Sequence, residues 1–283
     1  MTFHVPVLLS EVLEYLDPKP GEDFVDCNLG GGGHAKEILA KTGPGGRLLG
    51  FDLDEDAHTQ ATKTLASYKN RITLVQKNFS ELKEVAQDNG FKTVDGILFD
   101  LGLSTYQLTD SERGFTFSGS ENLDMRFSQD QKKTAADLLN HSSKDELVKI
   151  LSRYGEVRNS KTLAQAIVKY RQKNPFKKND DLVWVAKGLW PQHLKKTEKR
   201  YLAQVFQAFR IAVNNELQSL EQSLKAALEI LKPQGRLVVI SYHSLEDRIV
   251  KRFFKKESQD CHCPAESPLC VCEHQSQFKI MTR

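Results

Sequence analysis

Along the first hundred residues, short apolar runs alternate with amphipathic stretches. Residues 24–26, 47–52, 72–75 and 94–100 read as strands, and the stretches between them carry helical spacing. That alternation predicts βα units feeding a parallel sheet. Three of the runs end in aspartate, which puts Asp26, Asp52 and Asp100 at the carboxyl edge of the sheet, where open α/β folds bind their ligands. After Asp100 the alternation stops. Residues 106–212 read as loops and helices, with helices expected over 144–153, 161–173 and 182–189. The α/β pattern then returns. Leu217, Leu220, Leu224, Leu228 and Leu231 share one helical face, Pro233-Gln234-Gly235 reads as a turn, and 236–241 as a last strand. The expected architecture is α/β: a discontinuous domain over 1–105 and 213–283, with a mainly helical domain, 106–212, inserted between its halves.

Composition refines this picture in two places. The chain has 283 residues, 39% apolar and 27% charged, enough for one large core and a smaller second unit. No apolar run approaches the roughly 20 residues that span a bilayer. Phe3-His4-Val5-Pro6-Val7 lacks the basic segment and apolar core of a secretion signal, so a cytoplasmic protein without a membrane partner is expected. The net charge of +3 hides a segregation: residues 106–212 hold 20 Lys and Arg against 12 Asp and Glu, while the remainder holds 20 against 25. Such a basic segment fits a surface that meets a polyanion, and a solvated helical surface carries the same balance.

The strongest local motif is Asp26-Cys27-Asn28-Leu29-Gly30-Gly31-Gly32-Gly33-His34, after a strand and before a helix. Four consecutive glycines cost backbone entropy that a plain turn does not require, which points to a ligand touching the backbone. The glycines alone do not choose between a dinucleotide and S-adenosylmethionine, and Asp52 suits the ribose of either. Asp26 tips the choice. A carboxylate just before the glycines opposes a pyrophosphate but suits the ammonium group of a methionine moiety. Gly30 and Asp26 therefore enter the candidate cofactor site beside Asp52, and a nicotinamide-dependent oxidoreductase is the rival reading.

Longer strings carry a family resemblance. His4 to Leu9, Gly30 to His34, Asp100-Leu101-Gly102-Leu103-Ser104, Glu112-Arg113-Gly114-Phe115, Leu123-Asp124-Met125-Arg126, Phe206 to Asn214 and His243-Ser244-Leu245-Glu246-Asp247-Arg248 span nearly the whole chain. In this order and spacing the chain resembles the bacterial 16S rRNA cytosine-N4 methyltransferases, the MraW family. The resemblance implies a Rossmann-like class I methyltransferase sheet with an inserted helical domain, and S-adenosylmethionine as cofactor. It also implies methylation of the N4 amine of one cytidine in the decoding centre, with 16S rRNA of the small ribosomal subunit as partner. By the same resemblance, cofactor contacts fall at Gly32, Gly33, His34, Asp52, Phe79, Asp100 and Gln107. Two departures stand out: Ser104-Thr105 replaces a usual pair of serines, and relatives continue past residue 283 with a basic tail, so weaker RNA binding is expected of this chain.

For such a reaction an acceptor near N4 must help the amine become tetrahedral. Asp100 is the candidate, with a purely cofactor-holding role as the alternative. His243 is a second catalytic candidate, for contact with the base or proton release. Against it stands a capping role for this segment, with Ser244 as cap and Asp247 three positions on. Arg248 is a candidate phosphate ligand. Phe115, Phe117 and Tyr106 could stack on an extruded base, or pack in a core. Five cysteines in a cytoplasmic chain argue against disulfides. Cys27 is expected to be buried beside the glycine loop. Cys261, Cys263, Cys270 and Cys272 form two C-x-C pairs able to close around a structural zinc ion, with a reduced, mobile hairpin as the alternative.

Overall fold

The computed structural model describes residues 6–104, 107, 112–191, 196–261, 263, 269–272 and 274–282. The chain divides into two compact units, Met1–Gly102 with Leu217–Arg283, and Leu103–Glu216. The domain limits expected from the sequence, 106 and 212, compare with 103 and 216 here.

The first unit is a five-stranded, all-parallel sheet. Its strands are β1 (Phe24–Asp26), β2 (Leu48–Phe51), β3 (Ile72–Val75), β4 (Val94–Asp100) and β5 (Leu231–Ile240), in the order β3-β2-β1-β4-β5. Helices α1 (Leu9–Leu16), α2 (Gly33–Lys41), α3 (Glu55–Thr64), α4 (Leu82–Asp88), α10 (Glu216–Ile230) and α11 (Ser244–Glu257) accompany it. Side chains alternate between the two faces of the strands. Phe24, Leu48, Leu98 and Ile240 join Val12, Leu16, Ala35, Ile38 and Leu39 in one core. Val25, Leu49, Phe51, Ile97 and Phe99 join Leu82, Ala86, Leu220, Leu224 and Val250 in the other. Both faces are covered, which is why the strands read as continuous apolar runs. The expected turn at 233–235 is instead part of β5: Gln234 has φ 66°, and the β4–β5 register shifts between Val94 and Gly96. Such an irregularity admits the extra residues while the pairing resumes at Gly96–Arg236. No helix of the described residues is long and apolar enough to cross a membrane.

The second unit is helical: α5 (Ala135–His141), α6 (Lys144–Gly155), α7 (Ser160–Arg171), α8 (Asn179–Gly188) and α9 (Glu198–Asn214). The sequence predicted α6, α7 and α8 with shifted ends, and α9 only as a motif string. Yet Tyr201, Leu202, Val205, Phe206, Ala208 and Phe209 recur at helical spacing, and all are buried. Thr134 with Asp137 and Ser143 with Glu146 form capping boxes that start α5 and α6. Several strings behind the family resemblance prove structural. Asp124 pairs with Arg126 through contacts of 2.7 and 2.8 Å. Buried Asn214 accepts from the Phe127 amide at 2.8 Å and donates to the Met125 carbonyl at 2.7 Å, tying that loop to α9.

Asn214→Ala therefore strands a half-buried amide and a buried carbonyl together. The expected loss is about 2–4 kcal/mol. Urea denaturation should show a lowered midpoint at unchanged slope; a midpoint within error of the parent would mean that water replaces the amide.

Candidate active site

Strand register positions the three aspartates. Asp26 lies level with Gly50 on β2 and Leu98 on β4. Asp52 and Asp100 therefore stand two residues, about 7 Å, further along the neighbouring strands. Asp26 sits at the bottom of this arrangement, 1% exposed. β1 and β4 are also where the strand order reverses direction, the position at which open α/β sheets leave a crevice for a ligand.

The glycine loop is held by these carboxylates. The Asn28 amide donates to Asp26 Oδ1 at 3.1 Å, the Gly30 amide to Asp52 Oδ2 at 2.8 Å, and the Asp54 amide to Asp52 Oδ1 at 2.9 Å. Asp52 thus closes the loop onto the end of β2 and keeps further lone pairs for a ligand. Gly32 caps α2 with φ 82°, a left-handed conformation that favours glycine. At Gly33 a Cβ would stand 2.5 Å from Pro6 Cγ, so the N-terminal segment closes against the loop only because that side chain is absent.

His34 opens α2 and is buried. Its Nε2 lies 3.5 Å from Asp100 Oδ2, and neither ring nitrogen has a hydrogen-bond partner. Asp26 Oδ2 is likewise buried without a partner, as is Asn28 Oδ1. Burial pushes the Asp26 carboxyl up to about 7, against the opposing pull of His34 and the Asn28 amide; the charges of Asp100 and Asp52 push the same way as burial. Burial also raises Asp52, although the amides of Asp54 and Gly30 pull it down. Unpartnered buried polar atoms are rare in folded proteins and mark a place where a ligand completes the bonding. A carboxylate at the bottom and ring nitrogens beside it suit a compact cation with hydrogen-bond donors.

One residue of this site escaped the sequence reading. The Tyr242 hydroxyl donates to Asp100 Oδ1 at 2.9 Å, and its ring packs where a Cβ on Gly102 would stand 3.0 Å away. Burial, then the charge of Asp100, pushes the Tyr242 hydroxyl well above its usual range, so it remains a donor. Half of Tyr242 stays exposed, 52%. Its position just past a strand at the carboxyl edge was the available signal. The next residue behaves differently from expectation. The α11 cap is His243 with Glu246, not Ser244 with Asp247: the Glu246 amide donates to His243 Nδ1 at 3.4 Å, and the Tyr242 amide donates to Glu246 Oε2 at 3.0 Å. A histidine nitrogen and the longer glutamate arm meet because Glu246 is buried and Asp247 faces Lys251. Arg248 is exposed on α11.

The remaining candidates are placed as follows. Phe79 follows β3 and packs edge-on against Phe99 at 5.7 Å. Gln107 lies in the helical unit, where its Oε1 accepts from the Ser104 amide at 3.0 Å and its amide donates to Ser104 Oγ at 3.2 Å. Phe115 is buried in the core of the helical unit, stacked on Phe127, and half-buried Phe117 packs against that core, edge-on to Phe206, so the packing alternative describes both. Tyr106 lies outside the described residues. Cys27 is buried next to the glycine loop. The other four cysteines converge at the end of the chain, with all four sulfurs within 4.8 Å of one another.

Comparison with known proteins accords with the length of the motif strings. The ribosomal RNA small subunit methyltransferase H of Heliobacterium mobile is 46% identical over 281 residues, 99% of this chain and 90% of that protein. The protein of the same description from Geobacter sulfurreducens is 47% identical over 283 residues, 100% of this chain and 91% of that protein. A solved S-adenosylmethionine-dependent O-methyltransferase from Thermotoga maritima shares 22% identity over 36% of this chain and 37% of its own, with a TM-score of 0.29. The family model described as the MraW methylase family matches residues 1–283. With a match over its full length, and relatives close to half identical throughout, the chain belongs to the MraW methylase family.

Proposed function

We propose that this protein transfers a methyl group from S-adenosylmethionine to the N4 amine of a cytidine in the decoding centre of 16S rRNA, within the small ribosomal subunit. The observation that carries the cofactor assignment is the buried, unpartnered carboxylate oxygen of Asp26 at the foot of the glycine loop. It fits an ammonium group and opposes a phosphate. The names of the relatives support ribosomal RNA of the small subunit as substrate, and the basic balance of residues 106–212 supports a polyanionic partner.

In this reading Asp26 binds the methionine ammonium, Asp52 accepts from the ribose hydroxyls, and the loop from Gly30 through Gly33 gives the backbone close approach. Phe79 completes the cofactor contacts within this unit. Bound S-adenosylmethionine supplies an electrophilic methyl group on a sulfonium. Asp100 would work on the amine: its carboxylate would accept an N4 proton from the attacking nitrogen, while the bound cofactor would supply the methyl group. Tyr242 donates to that carboxylate at 2.9 Å, and His34 Nε2 lies 3.5 Å from its other oxygen. His243 is assigned a positioning part. Its pairing with Glu246 starts α11 directly after Tyr242, whose hydroxyl donates to Asp100, and this part stands beside the base contact or proton release expected from the sequence.

Small ribosomal subunits from a strain lacking the gene, incubated with the purified protein and methyl-labelled S-adenosylmethionine, should carry label in N4-methylcytidine after digestion of the RNA. Label in a different nucleoside would overturn the N4 assignment. Absence of label from protein that still binds the cofactor would overturn the substrate.

A further inference from the structure

We infer that Cys261, Cys263, Cys270 and Cys272 bind one zinc ion, and that this ion fastens the C-terminal segment to α11. The sulfur spacing carries the inference. Cys261 and Cys270 are 3.5 Å apart, Cys270 and Cys272 3.6 Å, and Cys261 and Cys272 3.7 Å. A tetrahedral ion with zinc–sulfur bonds of about 2.3 Å requires edges of about 3.8 Å between its ligands. Disulfides would instead bring two sulfurs to about 2.05 Å, and none of the four residues is in a disulfide.

Two further observations agree. The Cys263 amide donates to Cys261 Sγ at 3.3 Å and the Val271 amide to Cys263 Sγ at 3.4 Å, so two of the sulfurs already act as acceptors, the role of a metal-bound thiolate. Among its described residues the turn also has no apolar core to hold it together. Cys261, Cys270 and Cys272 are exposed, and Leu269 and Val271 are 77% and 81% exposed. Closing a loop costs chain entropy, and burial does not offset that cost here. Four metal–thiolate bonds do.

The turn joins two segments that are packed on each other. Phe278 lies against Phe253 and Phe254 of α11, with ring centroids at 6.0 and 5.5 Å, and the Gln277 and Phe278 amides both donate to the Glu257 carbonyl. An ion between them makes the returning segment continuous with the helix. Binding converts four thiols to thiolates, releases four protons and leaves a dianionic tetrathiolate centre. No ligand position remains open, so the ion is structural.

The test is metal analysis of the full-length protein purified under reducing conditions without chelator or added metal. About one equivalent of zinc is expected, with a more than tenfold loss in Cys270→Ser/Cys272→Ser and none in Cys27→Ala. Cobalt added to chelator-stripped parent protein should give the thiolate charge-transfer and ligand-field bands of a tetrahedral sulfur site, a measurement independent of how the double variant folds. Hydrogen exchange at Phe278 should rise when zinc is stripped. Less than about one-tenth of an equivalent together with no cobalt spectrum would overturn the proposal. So would iron in place of zinc, zinc retained by the double variant, or exchange at Phe278 indifferent to the metal.

Discussion

With Asp26 holding the methionine ammonium as proposed, Asp26→Asn should lower the affinity for S-adenosylmethionine by about 30-fold or more, because removing one member of a buried charge pair costs about 2–5 kcal/mol. The substitution is close to isosteric and keeps an oxygen to accept from the Asn28 amide, so the loop should survive it. The pH dependence makes the expectation specific. In the ligand-free protein burial holds the Asp26 carboxyl near 7, above the ordinary value of about 3.9. The folded state therefore retains a proton that the unfolded chain has released. Its stabilising contribution is full below about pH 4 and is lost as the pH rises through about 7.

Binding an ammonium needs the carboxylate, so below about pH 7 association must expel that proton. Affinity should then rise about tenfold per pH unit on the acid side and level off near 7. It should fall again above about 8 as the ligand's own amino group deprotonates. Asp26→Asn should abolish the acid limb, and the ligand-free variant should lose less stability than the parent between pH 5 and 8. Calorimetry in buffers of different ionisation enthalpy reads affinity and proton release together. A dissociation constant within about threefold of the parent, with the acid limb intact, would remove Asp26 from the ammonium site.

The second large effect belongs to turnover. Asp100→Ala, and more conservatively Asp100→Asn, should lower kcat by about 10²–10⁴, the range of a positioned proton acceptor. Cofactor affinity should stay within about threefold. That split separates an acceptor from a residue that merely holds the cofactor, for which affinity would fall first. Tyr242→Phe removes the hydroxyl that donates to Asp100 at 2.9 Å. Half-exposed as it is, this bond should contribute only about a five- to tenfold change in kcat. Single-turnover rates on small subunits, with cofactor binding measured in parallel, decide the matter. Unchanged turnover in both Asp100 variants would leave the acceptor unidentified, and His34 would be the next group to test because its ring faces the same carboxylate.

Much of the site was legible because its signals are local. Short continuous apolar runs in the strands, aspartate at the ends of β1 and β4 and just past β2, and four glycines before a helix are all written within a few residues of where they act. The same applies to α6, α7 and α8, whose apolar spacing marks them. α9 was equally legible from its apolar period, but its residues served only as a motif string.

What the tertiary structure decided depends on partners far apart in the chain. Tyr242 reaches Asp100 across 142 residues, and nothing in either neighbourhood encodes that choice. Phe115 and Phe117 look like any exposed aromatic pair after a strand until Phe127 and Phe206 are packed on them, which buries Phe115 in the core and half-buries Phe117 against it. The α11 cap moved from Ser244 to His243 because Glu246, not Asp247, is buried where its carboxylate can accept backbone amides. The amino-acid sequence by itself determined which residues carry charge, where the backbone can turn and which faces must be buried. Which of those residues meet was decided only by folding, because burial and hydrogen bonding are properties of the neighbours a side chain acquires.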